Sequence, residues 1–149
     1  MILPHDSIIV QTLGRILIPV IQIYSLYIIF HAQYSPGGGF VGGVLFGTSL
    51  ILTILIFGAE HTRGFIQRVV RRSDGLGLLV FALIGILCIL GGQTFLNYSA
   101  LPVPGIDSAG KHAIGIIATQ VGVALDVAVV SVSIFMNLSP GEGFHESDH

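Results

Sequence analysis

Four predominantly apolar stretches, each long enough to cross a membrane, constrain what this chain can fold into. They cover about residues 8–30, 40–57, 76–96 and 114–136. Each gives about 27 Å or more of α-helix at about 1.5 Å per residue, close to the thickness of a bilayer's hydrocarbon core. Only 9% of the residues are charged and the mean hydropathy is +0.89, which is too apolar for a soluble domain of 149 residues. The sequence therefore predicts an all-α polytopic membrane protein with four transmembrane helices.

The rest of the chain is short connection or tail, so we interpret residues 1–149 as a single transmembrane domain. The first stretch is not typical of a cleaved signal peptide, because no Lys or Arg precedes it and three further stretches follow. The lone Cys88 cannot form an internal disulfide. We interpret it as a small buried apolar residue of the third span.

Basic residues are concentrated between the second and third stretches. Four of the six Lys and Arg residues lie there: Arg63, Arg68, Arg71 and Arg72. Because cytoplasmic links carry an excess of basic residues, this link is predicted to be cytoplasmic. With four spans, both termini are then cytoplasmic as well. The opposite orientation stays open, since a large partner complex can impose topology on a small subunit.

The basic link also has a helical pattern. Between residues 62 and 72 its apolar side chains fall on one face and its arginines mostly on others. This pattern predicts a short interfacial helix, and a solvated basic loop remains the alternative.

An acidic residue, Asp126, is predicted near the middle of the fourth span. It belongs to a stripe of small and polar residues at 100° per residue: Gly115, Thr119, Gly122, Asp126, Ser133 and Asn137. Such a stripe should face protein or water, and an intramembrane carboxylate on it is a candidate for handling protons or cations. Asp126 and Thr119 are therefore candidate ion-path residues. The alternative is a structural carboxylic acid that binds no ion.

Two further ion-path candidates come from the first span. Arg15 shares a face with Gln11, Pro19 and Gln22 and either reaches the cytoplasmic interface or pairs with an acid. His31 ends this span and could pass protons into a membrane path, but we favour a solvated interfacial histidine. The six histidines have no metal-ligand spacing, and we find no catalytic motif. The sequence predicts no enzyme activity, no metal site and no cofactor.

Glycines are concentrated at the mouth of the second span. Residues 35–43 read Ser-Pro-Gly-Gly-Gly-Phe-Val-Gly-Gly, with Pro where the first helical turn begins. Overlapping Gly-x-x-x-Gly spacings predict close helix packing, and a backbone ion site is the minority alternative. We define the glycine signature as Pro36, Gly37, Gly38, Gly39, Phe40, Gly42 and Gly43.

This signature resembles that of the MnhB/MrpB family, the B-type subunits of multisubunit Na+/H+ antiporters and related membrane-bound hydrogenase complexes. The resemblance implies a small subunit in the plasma membrane of a prokaryote, with other antiporter subunits and the lipid bilayer as partners and Na+ and H+ as transported ions. A subunit of a redox-linked complex and an assembly-only subunit are the alternatives. Relatives tend to carry an acid in the last span where this chain has Gln120.

Overall fold

Helices account for most of the described structure. The computed structural model describes residues 8–34, 37–57, 68–70, 72–73, 75–92, 94–101 and 105–138. Within these ranges lie four α-helices of 15 residues or more, which we number α1 (Ile8–Phe30), α2 (Gly38–Phe57), α3 (Leu76–Leu90) and α4 (Ser108–Leu138). A short 3-10 turn, Tyr98–Ala100, connects α3 to α4. The all-α membrane architecture predicted from the sequence is confirmed.

Three of the helices are long and apolar enough to cross a membrane: α1, α2 and α4. The bounds of α1 match the predicted first span, whereas α2 begins two residues earlier than predicted, at Gly38. α4 extends beyond the predicted span at both ends and has 31 residues. The hydrophobic stretches thus predict where these helices lie. α4 is longer than its hydrophobic stretch, because residues 108–113 and 137–138 are also helical.

α3 is shorter than the predicted third span. It has 15 residues and ends at Leu90, whereas the predicted span continues to residue 96. The helix ends where Gly91 and Gly92 follow, with Gly92 at φ +80°, a conformation that glycine adopts without strain. The chain then folds back, because the Phe95 ring lies where a side chain on Gly85 would be.

A second helical piece precedes α3. Residues 68–70 and 72–73 are helical, and we call them the 68–73 segment. Its Val70 is buried in an apolar cluster with Ile54, Val129 and Val132, so the segment lies alongside α2 and α4. Gly75, at φ +77°, stands between this segment and α3. Residues 62–67 and 71 of the predicted interfacial helix lie outside the described residues.

The order of contacts along each helix shows how the helices run. Successive glycines of α2 meet successive turns of α4, from Gly39 at Gln120 to Gly47 at Ala128, so α2 and α4 are parallel. α1 runs antiparallel to α2. α3 packs against α4 and also contacts the 3-10 turn. α4 therefore lies between α2 and α3 and contacts both along its length.

Candidate functional site

Asp126 lies on the face of α4 that is turned toward α3. A Cβ on Gly77, the second residue of α3, would be 2.7 Å from the Cβ of Asp126. The Asp126 side chain is half-buried. It lies 12 residues before Leu138, the last residue of α4, which places it about 18 Å from that end. The carboxylate is thus deep in the bundle, beside the first turn of α3.

The first turn of α3 contacts α4 backbone to backbone. A Cβ on Gly77 would collide with the Gly122 carbonyl oxygen, and a Cβ on Gly122 would be 3.0 Å from the Gly77 carbonyl oxygen. The residue before α3, Gly75, makes no side-chain cap. The first N–H groups of a helix have no intrahelical acceptor and carry a partial positive charge. The interruption at Gly75 therefore places a polar helix end beside Asp126.

Thr119 lies two turns earlier on the same face of α4 and is buried. Its hydroxyl oxygen is 2.9 Å from the carbonyl oxygens of both Gly115 and Ile116, to which it donates. The Tyr98 hydroxyl is 3.2 Å from the same Thr119 oxygen. Because the single Thr119 proton is used within the helix, Tyr98 is the donor in that pair.

Tyr98 covers the part of this face near the start of α4. Its ring lies where a side chain on Gly115 would be, and its centroid is 6.0 Å from that of His112 in an edge arrangement. The predicted stripe on α4 thus faces α3 and the 3-10 turn from Gly115 to Asp126. Sequence reasoning missed Tyr98 and Gly77. Their sequence signals were the Pro and Gly residues of the link between the third and fourth spans, and the Gly75-x-Gly77 spacing.

The glycine signature occupies the two interfaces of α2. Toward α4, a Cβ on Gly43 would be 2.6 Å from the Ala124 carbonyl oxygen, and one on Gly39 would collide with the Gln120 backbone. Toward α1, the buried Ser25 hydroxyl donates to the Gly42 carbonyl oxygen at 3.0 Å. Side chains at these glycines would separate the helices.

The remaining signature residues differ in their exposure. Gly38 is buried at φ +52°, and Gly37 is exposed at φ +131°. Phe40 is 62% exposed, so its ring is turned away from both interfaces. Pro36 lies outside the described residues.

Gln120, a residue of α4, forms a hydrogen bond with the glycine signature of α2. Its side-chain oxygen accepts a hydrogen bond from the Gly39 N–H at 2.5 Å. Gly39 is the second residue of α2, so its N–H has no partner within the helix. The Gln120 side chain therefore caps α2 from the neighbouring helix.

The structure does not bring Arg15 or His31 to Asp126. Arg15 is exposed on α1, which packs mainly on α2, whereas Asp126 faces α3. His31 Nδ1 is 3.1 Å from the Tyr27 carbonyl oxygen, and its ring stacks on the Tyr27 ring with centroids 4.1 Å apart. Within the described residues, no group of three or more His, Cys, Asp or Glu could hold a metal ion.

Comparison with known proteins shows which family the chain belongs to. The family profile described as a domain related to the MnhB subunit of Na+/H+ antiporter matches residues 9–134. The chain belongs to the MnhB family. It is 25% identical over 138 residues to antiporter subunit mnhB2 of Staphylococcus haemolyticus strain JCSC1435, covering 93% of this chain and 98% of the relative. It is 26% identical over 141 residues to antiporter subunit mnhB2 of Staphylococcus aureus strain Newman, covering 92% and 97%.

The matched range of the MnhB family, residues 9–134, takes in α1, α2, α3 and nearly all of α4. It therefore includes the glycine signature, the helix interfaces that the signature forms, and the face of α4 that carries Thr119 and Asp126. The family match concerns the whole helical bundle rather than one local motif.

Proposed function

We propose that this MnhB-family chain is a small membrane subunit of a multisubunit Na+/H+ antiporter complex. The observation that carries this proposal is the family match over residues 9–134, together with relatives of nearly equal length whose names state an antiporter subunit. Within the complex the chain provides helix-packing surface and part of an ion path. Other antiporter subunits are its partners, and Na+ and H+ are the transported ions.

The surface of the chain supports a role in a larger assembly. Large apolar side chains are exposed along the outer faces of α1 and α3, including Ile16 at 65% and Leu78 at 62%. Bilayer lipid can cover such faces, but α1 also exposes the charged Arg15. A charge within a span is costly against lipid and usually faces protein or water. We place a partner subunit, or the bilayer interface, at Arg15.

The face of α4 supports the ion-path part of the proposal. Thr119 and Asp126 lie seven residues apart, about 10 Å along the helix, and both face the α3 side. Asp126 supplies a proton or cation acceptor, and the Tyr98–Thr119 pair supplies hydroxyl groups toward the start of α4. We place the path along this face. His31 and Arg15 are candidates only where a partner subunit extends the path to them.

The proposed function is tested by measuring Na+/H+ exchange by the chain alone and by the complex that contains it. Purified alone and reconstituted in liposomes, the chain is expected to show no Na+-dependent proton movement. The complex isolated through a tag on this chain is expected to exchange Na+ for H+, and deletion of the gene should abolish that exchange. Exchange by the single chain would contradict the subunit role and favour a self-contained carrier.

Orientation is tested separately by cysteine labelling. We propose that both termini are cytoplasmic, in the plasma membrane of a prokaryote, from the arginine-rich link. Ser108→Cys and Leu138→Cys place a thiol at the two ends of α4, where both native residues are exposed. A membrane-impermeant maleimide added to intact cells should label position 108 and spare position 138. Native Cys88 is 0% exposed and serves as the internal background. The reverse labelling would show the opposite orientation.

A further inference from the structure

Asp126 lies near the middle of the membrane. α2 has 20 residues, about 30 Å of helix, which is the thickness of a bilayer's hydrocarbon core. Gly43 of α2 lies against Ala124 of α4, and Gly47, one turn further along, lies against Ala128. Asp126 stands between those two positions of α4, so it is level with the central part of α2.

Two helical pieces, rather than α3 alone, extend through the membrane beside α4. Gly77, the second residue of α3, lies against Asp126, so α3 starts at mid-membrane and continues toward the start of α4. The other half of the bilayer is occupied by the 68–73 segment, whose Val70 is buried against Val132. Together this segment and the 15 residues of α3 give about 30 Å of helix.

Gly75 interrupts the helix between these two pieces. It has φ +77° and is exposed, and the next residue, Leu76, is 47% exposed. At such an interruption, carbonyl groups of the first piece and N–H groups of the second lose their helical partners. Backbone of this kind is tolerated at membrane depth only where it is buried in protein or lines a water-filled cavity. Lipid therefore does not cover the break at Gly75.

Two charged side chains favour water as the neighbour of the break. The Asp126 carboxylate is half-buried beside the first turn of α3, and Arg72 is exposed on the 68–73 segment. Charged groups within a span face the bundle interior or a water-filled space. Because Arg72 lies between Val70 and Gly75 in the chain, one charge precedes the break and the other lies beside it.

The other side of Asp126 is closed by packing between α3 and α4. Gly77 and Gly122 bring the two backbones into direct contact, with no room for a side chain at Gly77. Further along the same face, the Tyr98 hydroxyl pairs with Thr119 at 3.2 Å. These contacts leave no water layer between Asp126 and the start of α4.

We propose that water enters the membrane along the 68–73 segment and reaches Asp126 through the break at Gly75. The carboxylate exchanges its proton or cation with the side of the membrane where α4 ends, at Leu138, and not with the side where α4 begins. This role in transport rests on the proposed function, whereas the presence of water at the break does not depend on it.

Cysteine accessibility in the intact complex tests this water path. Leu76→Cys places a thiol at the break. Val44→Cys, 38% exposed at the same depth on α2, and Leu83→Cys, 50% exposed two turns along α3, are the controls. Only the thiolate reacts, and a thiol in apolar surroundings does not form it, so a small charged methanethiosulfonate should modify position 76 roughly tenfold faster than positions 44 and 83. The readout requires no transport, so its failure would leave the proposed function untouched.

The side from which the reagent enters is measured in membrane vesicles of both orientations. Ser108→Cys and Leu138→Cys, at the two ends of α4, identify the two sides. Leu76→Cys should react from the side that labels Leu138→Cys. Asp126→Cys should react from that side as well, whereas Thr119→Cys, at a buried position, should react from neither.

Three results would overturn the proposal. Equally slow modification of positions 76, 44 and 83 would show that lipid or a partner subunit covers the break. Modification of position 76 from the side that labels Ser108→Cys would place the water path between α3 and the start of α4. Modification of position 76 but not of Asp126→Cys, in complex recovered at native yield, would show that water stops short of the carboxylate.

Discussion

Replacing Gly39 by leucine is expected to prevent the complex from assembling. A side chain there meets the backbone of Gln120 and removes the space that lets α2 and α4 approach. Because backbone cannot move aside as a flexible side chain can, we expect a loss at or above the usual overpacking cost of about 1–3 kcal/mol. The amount of complex recovered through a tag on a different subunit is the measurement.

The matched control is Phe40→Leu, one residue along α2. Phe40 is 62% exposed and faces neither α1 nor α4, so this substitution should leave the yield of complex close to that of the native chain. If Gly39→Leu assembled normally and altered only the dependence of transport on cation concentration, the packing interpretation would be wrong. A backbone ion site at the glycine signature would then explain the result.

Replacing Asp126 by asparagine is expected to preserve the complex and impair transport. Asparagine has nearly the same shape, so contact with Gly77 on α3 is retained, but the side chain can no longer take up and release a proton. A positioned proton-transfer group contributes roughly a hundredfold or more to rate, so exchange should fall about a hundredfold. Na+-driven proton movement in vesicles, measured across a pH series at matched amounts of complex, is the readout.

Asp107→Asn is the matched control for that substitution. Asp107 is exposed just before α4, where its side chain accepts a hydrogen bond from the Gly110 N–H at 3.1 Å. The side-chain oxygen of asparagine can accept the same hydrogen bond at the helix N-terminus, so neither assembly nor transport should change. An Asp126→Asn complex with native rate and native pH profile would assign Asp126 a structural role. Thr119 would then lose its support as an ion-path residue as well.

The helical architecture and the approximate position of every span could be predicted because burial in a bilayer demands long apolar runs, and four such runs are present. The face of α4 that carries Thr119 and Asp126 could be predicted for a similar local reason, since helical periodicity alone aligns those residues. The end of α3 was predicted wrongly, because the predicted third span continued to residue 96 through Gly91 and Gly92. Only the fold shows that the Phe95 ring turns back onto Gly85.

Contacts between residues that are far apart in the sequence could not be predicted from the sequence and are known only from the tertiary structure. The sequence by itself determined that the chain is a membrane helical bundle, with small residues on α2 suited to close packing and a carboxylate on one face of α4. The tertiary structure decided which helix meets each face: Gln120 caps α2 at Gly39, Gly77 brings the start of α3 to Asp126, and Arg15 stays apart on α1. Periodicity orients residues within a helix, whereas the partner of a face depends on packing among all helices.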